Sequence, residues 1–428
     1  MNKTICLERL WVFSPAPMVA LKADLLGPFS ESDLREAILQ ACRLNGVSSH
    51  RLVVDVDGSA FFQPCIFRAP LMKRDGRAWQ DIYLEQERIP FALGDGEFFR
   101  FFHTAVQGGF SVLLLAHHLA VDGISLTILV SEIQALLSGL SVTDMPLEPA
   151  RLNEPVKLPW LTCCMIKGLN KKWQRKGLRF TLGNYQELFQ SYWNTHHSAI
   201  ALKTFSRQEY ESIIEAAKKA GVPVDSLLPT LLLKAYGTQT SLGVTASFRK
   251  AGDLSLGNYA SIVSITEGYD REQTFQRNAH RVAKVIAKQA DDPDKRLFLP
   301  AVLKSISGSL VDSLYFQNQH LVNDQTSRTF CRMIRYDDIR LSDLGVIPSL
   351  SGDRCRVVHP VFVPPVAPDA SRMVGALSMD GGLSLSLHAE NDGQWEKKAR
   401  FFDRLVNDLS ALAQGGRLSA GPLEHMHC

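Results

Sequence analysis

Charge of one sign, long apolar runs and cysteine motifs are what this sequence has little of. No apolar stretch approaches the ~20 residues needed to cross a bilayer as a helix. The 47 lysines and arginines against 44 acidic residues leave a net charge of +3, which gives no electrostatic reason to expect nucleic acid as the main partner. The eight cysteines include no Cys-x-x-Cys pair, so neither a disulfide framework nor a redox couple is indicated. Reduced thiols are expected, with the adjacent Cys163-Cys164 as apolar filling. No repeat of solenoid period is present. The opening residues, Met1 to Glu8, place an acid where a signal peptide has its apolar region, and a cytoplasmic location is expected. Apolar content of 45% against 21% charged is that of a globular chain. Its 428 residues suffice for two or three domains or one large two-lobed unit.

What is present is an alternation of strands and helices. Leu21 to Leu26 reads as a strand. A helix starts at Ser30-Glu31-Ser32-Asp33, buries Leu34, Ala37, Ile38 and Ala41, and stops at Asn45-Gly46. Leu52 to Gly58 reads as a strand entering a turn. Phe98 to Val106, Gly108-Gly109 and Phe110 to Ala116 form a hairpin, and Ile124 to Leu137 a helix. The chain divides into an N-terminal lobe over 1–145, a connector over 146–198 and a C-terminal lobe over 199–428. In the last, Ala199 to Lys203 is a strand, and Ser206 with Glu209 caps a helix. A buried helix runs from Asp225 to Tyr236. Gly243 to Phe248 and Ala260 to Ile265 are strands and Phe275 to Ala290 a helix. Val357 to Val363 and Leu383 to His388 are late strands, before a helix from Trp395 to Leu412. In the connector, Trp160 to Phe180 is basic, with Lys167, Lys171, Lys172, Arg175, Lys176 and Arg179 around Trp173. It reads either as a dock for a membrane or acidic partner, or as a helix with a solvated basic face.

The chemistry concentrates in His117-His118-Leu119-Ala120-Val121-Asp122-Gly123, at the end of the apolar strand and ahead of a helix, where α/β folds commonly keep reactive loops. Histidine takes and returns a proton near neutrality. Adjacent histidines on a strand end point in different directions and no third ligand is spaced for zinc, so no metal site is expected. His196-His197 lacks a following Asp-Gly and reads as loop. His103, His280, His359 and His388 have no companion pattern, and His425-Met426-His427-Cys428 is too short and terminal to carry a site.

This heptapeptide resembles the signature of the superfamily that holds chloramphenicol acetyltransferase, nonribosomal peptide synthetase condensation domains, alcohol acetyltransferases and wax ester synthases. Arg249, ending Ala246-Ser247-Phe248-Arg249 and followed by Gly257-Asn258-Tyr259, is similar to another element of these enzymes. So are Leu341-Ser342-Asp343-Leu344-Gly345, with Asp343 where stand-alone members usually have Asn, and Pro90-Phe91-Ala92-Leu93. The resemblance spans roughly residues 20–412. The Pro-Pro-Leu-Trp segment of wax ester synthases and the Asp-Phe-Gly-Trp-Gly motif of plant acyltransferases are absent.

The resemblance implies an α/β (α+β) fold of two chloramphenicol-acetyltransferase-like lobes. Each is a mixed sheet with helices, and together they form a V-shaped pseudo-dimer around a central tunnel. It implies His118 as general base in direct transfer of an acyl group from a thioester to a hydroxyl or amine. Asp122 is then paired with Arg249, His117 shapes the turn, and Gly123 permits close approach and offers an N–H to the oxyanion. Ser125 is a candidate substrate contact or a cap of the following helix, and Asn258 a candidate substrate contact or part of a simple turn. No permanently bound cofactor is implied. The co-substrate is acyl-CoA, or a phosphopantetheine thioester on a carrier protein if the chain is a free-standing condensation enzyme. A degenerate, non-catalytic scaffold is the third reading, against which the intact His118, Asp122 and Arg249 argue. The expected partners are a small alcohol or amine and, on the second reading, an acyl carrier protein. No nucleic acid and no membrane span are expected, and the chain is expected to be a monomer.

Overall fold

The computed structural model describes residues 2–416 apart from 146, 148, 153, 238–239, 335–336, 349, 351 and 367–371. The C-terminal His425 to Cys428 therefore lies outside the described residues.

Local sequence signals set the first lobe. Ser30 and Asp33 form a reciprocal capping box that starts the helix Glu31–Leu44, whose buried positions are Leu34, Ala37, Ile38, Ala41 and Cys42. The hairpin Phe99–Val106 and Gly109–His117 turns at Gly108, whose φ of 81° suits a residue without a Cβ. The strand Met18–Leu26 pairs antiparallel with Gly109–His117, opposing Met18 to His117. The five-stranded sheet is ordered Arg356–Val363, Met18–Leu26, Gly109–His117, Phe99–Val106, Leu71–Arg74. A small sheet of Lys3–Thr4, Ala60–Pro64 and His50–Val54 lies beside it.

The second lobe is built on a six-stranded sheet, Ala260–Ile265, Leu242–Ser247, Ile339–Ile347, Arg372–Met379, Gly382–Glu390, Ser198–Phe205. Val374, Ala376, Leu385, Leu387 and Ala389 bury one of its faces against the helices Arg207–Lys219, Val224–Tyr236, Phe275–Ala290 and Trp395–Ala413. The alternate residues, Met373 opposite His388 and Gly375 opposite Ser386, lie on the other face. That face meets the first lobe. Ser386 Oγ donates to the Phe362 carbonyl (2.7 Å), and His388 Nδ1 lies 2.8 Å from the Pro364 carbonyl. His388 Nε2 sits 3.2 Å from the Glu87 carboxylate.

The division by sequence order needs correction. Arg356–Val363, assigned by position to the C-terminal lobe, joins the first lobe's sheet against Met18–Leu26. Leu310, Val311, Leu314 and Phe316 also enter the first lobe's core, where Phe316 stacks on Phe180 with ring centroids 4.1 Å apart. The connector packs on the first lobe. Its helices Trp160–Lys176 and Leu182–Thr195 bury Ile166, Leu169, Trp173, Tyr185, Leu188, Phe189, Tyr192 and Trp193 in that core. Trp173 is fully buried and donates to Ser309 Oγ (2.8 Å). Of the two adjacent cysteines, Cys164 is exposed and so fills no core.

Candidate active site

The heptapeptide leaves the sheet at His117 and re-enters regular structure as the helix Gly123–Leu137. Backbone bonds from three directions hold the turn between them. His117 N–H donates to the Phe98 carbonyl (3.0 Å), His118 N–H to the Pro17 carbonyl (2.9 Å), and Asp122 N–H to the Gly257 carbonyl (3.1 Å).

The two histidines have different surroundings. His117 is wholly buried, its ring edge-on to Phe91, and its Nδ1 accepts from Leu119 N–H (3.2 Å). Burial, then the neighbouring His118 and Arg100, push its pKa down to about 3. It is a neutral packing element. His118 places Nδ1 2.7 Å from the Val121 carbonyl. Because a carbonyl can only accept, Nδ1 carries the proton and Nε2 holds the free lone pair. Burial lowers the pKa of His118, opposed by the Val121 hydrogen bond and the charge of Asp122, so the ring is neutral at pH 7 and available as a base.

Asp122 does not orient His118. It caps the following helix, with Oδ1 accepting from Ser125 N–H (2.7 Å) and Ser125 Oγ (2.8 Å), and Oδ2 from Tyr259 N–H (3.0 Å). Arg249 Nη2 lies 3.2 Å from Oδ1. The same guanidinium donates to the Ser255 carbonyl and to Ser125 Oγ (2.8 Å), and lies over the Tyr259 ring at 4.3 Å. Both charged side chains are almost fully buried. Removing one would strand the other without solvent.

Ser125 and Asn258 are both hydrogen-bonded to neighbouring groups of the protein. Ser125 is completely buried. Its hydroxyl accepts from Arg249 and from Gly257 N–H (3.1 Å), and donates to Asp122 or the Gly257 carbonyl. Asn258 Nδ2 donates to the His118 carbonyl (2.7 Å), while its Oδ1 accepts from Ala260 N–H (3.2 Å). Both tie the 117–123 turn to the 257–260 segment. Gly123 is tightly enclosed. A Cβ there would lie 2.6 Å from Leu344 Cδ2 and 2.8 Å from the Phe362 ring. Within the Leu341 to Gly345 element it is thus Leu344 that reaches the motif. Asp343 turns its Oδ1 back to Gly345 N–H (2.8 Å).

Trp11 is the residue that motif reading missed. It ends the short helix Leu7–Trp11, and its ring lies on the His118 imidazole with centroids 4.2 Å apart at 54°. It also packs against Met373 of the second lobe. A tryptophan ten residues into the chain carries no spacing signal toward His118; only the fold brings them together. Two open clefts, of about 460 and 520 Å3, are lined by residues such as Tyr192 and Arg328, and Leu152 and Lys304, and by none of the motif. Among the described residues no group of three or more His, Cys, Asp or Glu could hold a metal ion, and no helix is long and apolar enough to cross a membrane.

No protein-family model and no curated protein sequence matches the chain. Solved structures do. The first condensation domain of the CDA synthetase superposes with a TM-score of 0.64 at 11% identity, over 98% of each chain. Polyketide synthase associated protein 5 from Mycobacterium tuberculosis gives 0.61 at 9% identity, over 96% of this chain and 97% of that one. The epimerization domain from the third module of tyrocidine synthetase B gives 0.56 at 13%, over 97% and 98%. The chain therefore has the condensation-domain fold, two chloramphenicol-acetyltransferase-like lobes in one polypeptide.

Proposed function

We propose that the protein is an acyltransferase that moves an acyl group from an acyl-CoA thioester to a hydroxyl or amine, with His118 as general base. The observation that carries this reading is the state of His118. It is buried, its Nδ1 is committed to the Val121 carbonyl, and Nε2 remains to take a proton. The acceptor's O–H or N–H attacks the thioester carbonyl carbon while Nε2 removes its proton. The oxyanion collapses, the carbon–sulfur bond breaks, and the proton passes to the departing thiolate. Direct attack requires no acyl-enzyme. Gly123 N–H, in the first turn of a helix where amides lack intrahelical partners, is our candidate oxyanion donor. The fold alone does not select the reaction, since an epimerization domain shares it.

A second reading, a free-standing condensation enzyme fed by a phosphopantetheinyl carrier protein, is favoured by likeness to synthetase domains such as that of the CDA synthetase. One experiment addresses both. Wild type and His118→Ala are incubated with acyl-CoAs and loaded carrier proteins plus alcohol and amine acceptors, and thiol release is followed. Acceptor-dependent release by wild type, lost in His118→Ala of unchanged circular dichroism, supports the proposal, and the accepted donor decides between the readings. Equal release by the variant would refute it.

A further inference from the structure

The helix Trp160–Lys176 has one side tied to the body of the protein and one side bare. Inward, Ile166, Leu169 and Trp173 are buried. Asn170 Nδ2 donates to the Ser305 carbonyl (3.0 Å) and its Oδ1 accepts from Ser307 N–H (2.8 Å). Lys176 pairs with Asp324. The helix is therefore held in a fixed orientation.

Outward, its first two turns expose Trp160 (78% of the residue), Leu161 (63%), Cys164 and Met165 (40%). Continuing on the same side, Lys167, Lys171, Lys172 and Arg175 are all exposed. Among the described residues none of these four has a carboxylate within salt-bridge distance, and the 17-residue helix contains no acid of its own. Attraction to the helix C-terminus is confined to the last turn, which accounts for Arg175 and Lys176 and not for Lys167 or Lys171. Single exposed apolar residues are ordinary on protein surfaces. An exposed tryptophan, leucine and methionine contiguous with four unpaired cations are not.

We propose that this face is a docking surface for an anionic lipid membrane, with Trp160, Leu161 and Met165 entering the interfacial region and the four cations meeting lipid phosphates. The charge complementarity is one-signed along a helix ~25 Å long. A planar anionic interface satisfies its apolar and cationic ends together, as interfacial helices do. An acidic protein would have to offer an apolar socket and a separate acidic strip at matching spacing. The proposal is independent of the chemistry at His118.

The test is co-sedimentation of the full chain with phosphatidylcholine vesicles, with and without phosphatidylglycerol. It uses wild type, Trp160→Ala/Leu161→Ala, Lys171→Glu/Lys172→Glu and the control Trp160→Phe. Phosphatidylglycerol is expected to tighten binding at least tenfold, in a salt-sensitive manner. The charge-reversal variant should lose that dependence, the Trp160→Ala/Leu161→Ala variant should lose most binding at any composition, and Trp160→Phe should bind nearly as wild type. Trp160 emission should shift to the blue on binding. Absence of vesicle binding by wild type, or equal binding by all variants, overturns the proposal. So does selective capture of an acidic carrier protein, abolished by the same substitutions, in place of vesicle binding.

Discussion

The chain carries the dipeptide His-His twice, and the two copies show what makes a histidine chemically useful. At 117–118 the rings are buried, the nearby carboxylate faces an arginine, and the Nδ1 proton of His118 is fixed by a backbone carbonyl. At 196–197 the carboxylate faces the imidazole directly. His196 Nε2 lies 3.3 Å from Glu390 and its ring stacks on Tyr192, while His197 is exposed. This second dipeptide sits at the rim of an open cleft, with His196 partly exposed. Burial is what keeps His118 neutral, and the Asp122 carboxylate, turned to Arg249 and backbone N–H groups, makes no hydrogen bond to the ring.

The largest expected difference between the two pairs is catalytic. His118→Ala should lower acyl transfer by roughly 10²–10⁴-fold, the usual contribution of a positioned general base, whereas His196→Ala should leave turnover unchanged. Comparable losses from both would erase the distinction. Next comes the brace. Asp122→Ala or Arg249→Met should cost on the order of 3–5 kcal/mol of stability in chemical denaturation, because each leaves a buried partner charge uncompensated. An effect confined to turnover, with the unfolding midpoint unmoved, would instead make Asp122 part of the proton-transfer machinery.

Acid sensitivity sharpens the contrast further. His117 is held near 3 in the fold against an ordinary value of about 6.5, so the unfolded chain binds a proton that the native one refuses. Stability from this group is present above about pH 6.5 and falls progressively as the pH drops toward 3. His117→Asn should thus move the acid-unfolding midpoint to lower pH. Smaller again is Asn258→Ala. It strands the buried His118 carbonyl at roughly 1–3 kcal/mol, and Asn258→Asp, which removes the donor but keeps the size, should resemble it more than wild type.

How much of this was legible in the sequence follows the range of the interactions involved. The helix Glu31–Leu44 could be read because Ser30, Asp33 and four apolar positions all lie within one segment. The hairpin before the motif could be read from Gly108-Gly109. The crossover strand Arg356–Val363 could not be assigned to its sheet, since its partner Met18–Leu26 lies more than three hundred residues away. Two central strands, Ile339–Ile347 and Arg372–Met379, went unread. The first carries a bulge and the polar Ser342-Asp343, which breaks the apolar run that marks a buried strand. In the site, the Asp122–Arg249 pairing was legible through resemblance. For Ser125 and Asn258 the sequence left two readings open, because a polar residue beside a motif looks the same whether it faces substrate or backbone. Trp11 had no local signature at all.

Base catalysis by His118 depends on the protonation state of its ring, and nitrogen-15 NMR of histidine-labelled protein observes that state directly. Resonances are assigned by His118→Gln and followed from pH 8 downward. His118 is expected to appear at neutral pH as the Nδ1–H tautomer and to titrate below the ordinary histidine value. A His118 that is protonated at pH 7, or that carries its proton on Nε2, would contradict it.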